Sequence, residues 1–348
     1  ELNSFVIILC QRSGKHISIG EPMIDATMPD GSRLQATLGK EVTTRGSSFT
    51  IRKFRGDPIT PIDLINFNTC STEMLAYFWL SIENGKSILF AGGTASGKTS
   101  MLNAASLFIP PLAKVISIED TRELTLHHNN WIAGLTRESF TISGTGDISM
   151  YDLLRSALRQ RPEYILVGEV RGEEALTLFQ AMSTGHTTYS TMHAGDVQTV
   201  VNRLENEPIN VPHVMMQSID ILCIQMQTYV GDKRVRRNKS IVEVTGLDPK
   251  SQNIRINELY SWDPITDSFK RSGDSYVINK ITQARGWDRN KVADELNKRQ
   301  RILEYMVKNN MRDYVNVSLV VQAYATNPDM VLDAIENETL HEIISQNI

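Results

Sequence analysis

Eight consecutive residues, Gly92-Gly93-Thr94-Ala95-Ser96-Gly97-Lys98-Thr99, fit the pattern G-x-x-x-x-G-K-[ST] without a gap. The motif restricts the fold because it works only as the turn between a buried strand and the helix that follows, the building unit of an α/β sheet. Its flanks agree. The apolar run 87–91 predicts a buried strand, and 100–108 carries good helix formers with Leu102, Ala105 and Phe108 at helical spacing. Glycines at 92, 93 and 97 permit backbone angles that let successive N–H groups turn inward and cradle a polyphosphate at a helix N-terminus. In that geometry Thr94, Ala95, Ser96 and Ser100 line the anion site, Lys98 reaches the β- and γ-phosphates as a point charge, and the Thr99 hydroxyl ligates the Mg²⁺ that bridges them. The expected ligand is ATP or ADP with Mg²⁺. A glycine-rich turn of purely structural use is the alternative.

The chain has 348 residues, enough for two or three domains, and 41% hydrophobic with 22% charged residues is ordinary for a globular protein. A formal net charge of −4 argues against a generally basic nucleic-acid binder. Three cysteines, Cys10, Cys70 and Cys223, are far apart and odd in number, so a disulfide framework and a four-cysteine zinc site within one chain are both excluded, and a reducing, cytoplasmic setting is expected. No apolar stretch approaches the roughly 20 residues needed to span a bilayer, so any membrane association is expected to be peripheral. The apolar run 5–10 is strand-sized, and because the chain opens at Glu1 almost inside that run, upstream sequence is expected to be missing.

From 86 to 226 short apolar runs alternate with amphipathic ones, as in a mostly parallel sheet flanked by helices, and the core with its basic hairpin is expected to span 61–274. Strands are expected at 87–91, 115–118, 164–167, 188–192 and 221–225, and helices at 148–160, before Pro162, and at 173–182. Residues 1–60 mix strand-like runs with turns such as Pro29-Asp30-Gly31 and reach Pro58 and Pro61, which predicts a small α/β domain ahead of the core. The basic run Lys233-Arg234-Val235-Arg236-Arg237 reads as a turn between two strand-like stretches, either a solvated hairpin or a phosphate or lipid-head patch. Residues 275–348 read as helical, with Val292, Leu296, Ile302, Leu303, Met306 and Val307 as a buried stripe.

Carboxylates and histidines add to the phosphate loop. The apolar segment 164–167 ends in Gly168-Glu169, where Glu169 would polarise the attacking water directly or through Mg²⁺, unless it merely caps the next helix. Ile118-Glu119-Asp120-Thr121-Arg122-Glu123 ends a second strand in carboxylates, so that Glu119 or Asp120 is a candidate for a metal-bound water and an exposed acidic turn is the alternative. His186 and His193 flank a strand, seven residues apart, so a regular strand points them to opposite faces and one shared metal is excluded. Each remains a candidate for γ-phosphate contact or for a structural role.

Together these segments resemble the secretion ATPase superfamily of type II secretion, type IV pilus and archaellum motors, its archaeal members most closely. Residues 92–99 are similar to its Walker A loop, 118–123 to its aspartate box, 165–172 to its atypical Walker B segment, and 183–194 to its histidine box, in family order. Arg155-Ser156-Ala157-Leu158-Arg159-Gln160-Arg161-Pro162 also resembles the family, and the likeness extends back through Asp30-Gly31-Ser32-Arg33. The resemblance implies a RecA-like P-loop core with a smaller N-terminal α/β domain closing over the nucleotide, and Arg33, Arg45, Arg52 and Arg55 in that domain match phosphate-contacting arginines. It also implies a homohexameric ring that works with an inner-membrane platform protein, peripherally attached to the cytoplasmic membrane and without zinc. Secretion or pilus assembly is the expected role, and an archaellum motor or a DNA-transfer ATPase the alternative.

Overall fold

The computed structural model describes residues 1–54, 56–137, 146–251 and 253–346. The chain divides into two compact units, Glu1–Asp57 with Asp120–Glu123, and Pro58–Glu119 with Leu124–Ile348.

The first unit holds helix α1 (Leu2–Arg12) and an antiparallel sheet of β1 (Met23–Thr27), β2 (Arg33–Thr37) and β3 (Ser48–Arg52), in the order β1-β2-β3. The strand-sized run 5–10 therefore lies within a helix. The reason is its periodicity: Val6, Leu9 and Cys10, at helical spacing, bury against Leu34 and Ala36 of β2, while Leu2, Phe5 and Ile8 turn outward. Alternation rules β1, where Ile24 and Ala26 are buried between exposed neighbours.

The second unit begins with α2 (Pro61–Asn66) and α3 (Thr72–Glu83), followed by β4 (Ile88–Gly92), α4 (Lys98–Ser106), β5 (Val115–Glu119), β6 (Trp131–Leu135), α5 (Met150–Leu158) and β7 (Tyr164–Val167). Next come α6 (Glu174–Ser183), β8 (Thr187–Met192), α7 (Val197–Glu205) and a 3₁₀ turn at His213–Ser218. The chain then runs through β9 (Ile221–Val230), β10 (Lys233–Leu247), β11 (Ile254–Asp263) and β12 (Ser268–Arg271) to the helices α8 (Tyr276–Arg285), α9 (Arg289–Lys308), α10 (Tyr314–Thr326), α11 (Pro328–Glu336) and α12 (Leu340–Gln346). Local chemistry sets many of the helix starts. Thr60 and Asp63 form a capping box with Pro61 at the first helical position, and Ser149 with Asp152 repeats the device at α5.

One nine-stranded sheet runs β12-β11-β10-β9-β4-β8-β7-β5-β6. The six strands from β9 to β6 are parallel, and β10 to β12 continue the sheet antiparallel. Strand β4 is buried along its whole length, as a parallel strand covered on both faces must be. Its alternate residues feed two cores: Ile88 and Phe90 pack on the side of α3, α4 and the C-terminal helices, Leu89 and Ala91 on the side of α5, α6 and α7. The helices beyond 275 thus share the main core; Val292, Ile302, Leu303 and Met306 are buried there, with Leu296 and Val307 half-buried.

The basic run is not a turn. A two-residue turn at Gly231-Asp232 joins β9 to β10, and Lys233 to Arg237 are the first residues of β10.

Candidate active site

Parallel strands bring their C-terminal ends to one edge, and the register here aligns them: Ala91 of β4 lies beside Met192 of β8, Ser190 of β8 beside Val167 of β7, and Val167 beside Ile118 of β5. The loop after β4, His193 after β8, Gly168-Glu169 after β7 and Glu119 at the end of β5 therefore sit along that edge, the position where open α/β sheets bind ligands.

The phosphate loop is built from its own backbone. A Cβ at Gly92 would stand 2.4 Å from the Gln225 carbonyl oxygen and 2.4 Å from Ser96 Oγ, so only glycine lets β9 and the loop approach so closely. Gly97 caps α4 at φ 94°, a left-handed conformation that favours glycine, and the exposed Ala95 shares it at φ 58°. The Ser96 hydroxyl donates to the Gly93 carbonyl at 2.8 Å and closes the loop on itself. Lys98 Nζ donates to the same carbonyl at 3.0 Å, so the ammonium lies inside the loop's curl. Thr99 and Ser100 follow in the first turn of α4, and Thr94 is exposed at the tip.

Glu119 is only 2% exposed, and its Oε1 accepts from the Leu124 N–H at 2.9 Å. A Cβ at Gly168 would lie 3.1 Å from Glu119 Cγ, which explains the glycine directly before Glu169: the two carboxylate-bearing loops pack with no side chain between them. Glu169 is ion-paired with Arg171. Its loop is tied down from both sides, by Thr191 Oγ1 donating to the Gly168 carbonyl at 2.6 Å and by Glu174 Oε1 accepting from the N–H groups of Arg171 and Gly172 at 2.6 and 2.8 Å. Glu174 was not singled out from sequence, although its place in the first turn of the helix after β7 was the available signal.

The two histidines part company. His193 follows β8 at the loop-bearing edge and is half-buried, whereas His186 precedes β8 at the opposite edge, where its Nδ1 lies 3.4 Å from Thr184 Oγ1. Seven residue steps at ~3.3 Å each put about 23 Å between them, so His186 is not brought to the nucleotide edge. The expectation that both strand ends face the phosphate overlooked that parallel strands share only one such edge.

Asp120 and Glu123 group with the first unit. Within that unit Arg52 pairs with Glu123 at 2.7 Å, Arg33 is held by Asp25 through contacts of 2.5 to 3.2 Å, and Arg45 is exposed. Arg55 lies outside the described residues. Among the described residues no three His, Cys, Asp or Glu side chains group as a metal cage. The candidate donors Thr99, Glu119 and Glu169 are hard oxygen ligands, the kind Mg²⁺ takes one or two of when phosphate and water complete its octahedron.

Sequence reasoning also passed over Arg236. Its Nε donates to the Ala95 carbonyl at 2.8 Å, across 141 residues of chain. The signal was present in the basic run, but strand pairing had to say which of its members meets the loop.

A family model described as "Type II/IV secretion system protein" matches residues 10–341. An uncharacterized protein of Methanocaldococcus jannaschii is 47% identical over 248 residues, covering 71% of this chain and 92% of that protein. A second from the same organism is 40% identical over 328 residues, covering 93% of this chain but 59% of the relative's own length. The type IV secretion system protein PtlH of Bordetella pertussis is 33% identical over 221 residues, covering 56% of this chain and 64% of that protein.

Proposed function

The chain belongs to the type II/IV secretion system protein family, and from that premise we propose that it is a Mg²⁺-dependent ATP hydrolase whose turnover powers protein secretion or assembly of a type IV pilus-like filament. One observation carries the reading: a closed phosphate loop, the carboxylates Glu119 and Glu169, and His193 all stand at the same edge of one parallel sheet.

Bound Mg²⁺ would supply charge neutralisation at the β- and γ-phosphate oxygens, held by Thr99 with Glu119 or Glu169. The N–H groups of residues 95–99 receive the polyphosphate, and Lys98 exchanges the Gly93 carbonyl for phosphate oxygens. Glu169 orients the attacking water and accepts its proton, which requires its ion pair with Arg171 to open. His193 hydrogen-bonds the γ-phosphate, and Arg45, Arg52 and Arg55 of the first unit deliver charge to it during turnover. The working assembly is a ring of six docked from the cytoplasm on a membrane platform protein. No helix among the described residues is long and apolar enough to cross a membrane, which suits peripheral attachment.

The test is steady-state ATP hydrolysis with Mg²⁺ for wild type and Glu169→Gln, alongside nucleotide binding and the mass in solution. Glu169→Gln is expected to lower kcat by about 10² to 10⁴ while nucleotide affinity stays within about threefold. Turnover unchanged by the substitution would remove Glu169 from the chemistry.

A further inference from the structure

We propose that Arg236 is a positioning residue of the phosphate loop, clamping its apex from a strand of the antiparallel extension. The inference rests on the nucleotide-binding reading above and adds to it a side chain that lies outside the family's four sequence boxes.

Three features converge. First, β10 is anchored where Arg236 sits. The next residue, Arg237, is 4% exposed, grips both oxygens of Asp267 at 2.7 and 2.8 Å, and donates to the Phe67 carbonyl at 2.9 Å. Side chains alternate along a strand, so fixing Arg237 on one face commits Arg236 to the other. The register carries it to the loop: Arg236 lies opposite Gln227 of β9, and two residues back Gln225 pairs with Gly92 at the loop's root.

Second, the contact is specific. Nε donates to the Ala95 carbonyl at 2.8 Å, and the stem passes so near the loop that a Cβ on Gly97 would meet Arg236 Cδ at 3.2 Å. Third, the carbonyl it holds belongs to the residue with most reason to move. Ala95 sits at φ 58°, a conformation that non-glycine residues resist. A trans peptide is planar, with its C=O and N–H pointing in opposite directions, so holding the Ala95 carbonyl outward turns the Ser96 N–H into the curl of the loop. That N–H faces the Gly93 carbonyl at 3.4 Å, on the side where a phosphate would be received.

Two substitutions separate a clamp from a charge. Arg236→Met keeps the unbranched stem over Gly97 and removes the donor. Arg236→Gln removes the charge but places an N–H at the same distance along the side chain as the arginine Nε. Titration with N-methylanthraniloyl-ADP and Mg²⁺ should show Arg236→Met binding roughly 5- to 30-fold more weakly than wild type, the consequence of losing one charge-assisted hydrogen bond. Arg236→Gln should stay within about threefold of wild type, both variants should keep the wild-type melting temperature, and in ATP turnover the loss in Arg236→Met should fall more on KM than on kcat. Wild-type affinity in Arg236→Met would overturn the proposal. So would equal weakening of both variants, because the charge itself would then be acting on the ligand. Failure of the wild type to bind the probe would instead refute the nucleotide reading beneath it.

Discussion

Gly92, fixed by the motif, and Gly93, at a position the motif leaves open, are adjacent glycines that the structure separates physically. A methyl at residue 92 would lie 2.4 Å from both the Gln225 carbonyl oxygen and Ser96 Oγ, while one at residue 93 meets nothing within 4 Å. Reaching even 3.0 Å requires a displacement of about 0.6 Å, and neither neighbour yields easily. The Gln225 oxygen is backbone of β9, which pairs with β4 in the middle of the sheet, and rotating the Ser96 hydroxyl away breaks its 2.8 Å bond to Gly93. Overpacking of this kind costs about 1 to 3 kcal/mol, so Gly92→Ala should lower the melting temperature by roughly 2 to 12 °C, at about 2 to 4 °C per kcal/mol for a unit of this size. The strain falls on the anion site, and ADP affinity should drop at least about tenfold. Gly93→Ala should melt within about 2 °C of wild type. Thermal melts followed by circular dichroism, with fluorescent-ADP titration of each folded variant, make the comparison. Wild-type melting and binding in Gly92→Ala, or equal destabilisation by Gly93→Ala, would refute the packing argument.

His193→Ala should lower kcat by about tenfold or more while His186→Ala leaves it within about twofold, because only the former stands at the loop-bearing edge; steady-state turnover decides, and a larger loss in His186→Ala would sink the assignment. Arg299→Ala should destabilise by about 3 to 5 kcal/mol in urea denaturation, since it leaves the mostly buried Glu83 without its guanidinium partner between α3 and α9. The Arg237 guanidinium holds Asp267 down to about 2, below its ordinary 3.8. A lowered carboxylate pKa contributes stability above the unfolded value and loses it as pH falls through the folded one. The contribution should therefore disappear between about pH 4 and pH 2, and acid titration of Asp267→Asn should lack that step.

Much of this protein is legible locally. The phosphate loop depends on glycines, a lysine and a threonine within eight residues, and its flanking strand and helix follow from burial and helical spacing next door. The same holds for the strands that end in Glu119 and Gly168-Glu169, whose apolar runs are short and sharply bounded. Where local signals conflicted, the reading erred: the run 5–10 is short enough for a strand, and only the sheet it covers selects the helical face of Val6, Leu9 and Cys10. The basic run 233–237 told a similar story, since charge alone cannot distinguish a turn from a strand edge.

What contiguous residues determined, then, was the kind of chemistry: an anion cradle, a lysine, a hydroxyl and carboxylates at strand ends. Only the tertiary structure decided which of them meet. Strand order and register pair segments more than 100 residues apart, and that pairing put His193 beside the loop, left His186 at the far edge, and laid Arg236 across Ala95. The physical reason is that backbone conformation is set within a few residues by sterics and hydrogen bonding, whereas the neighbours of a strand are set by burying both its faces at once, a condition no single segment can express.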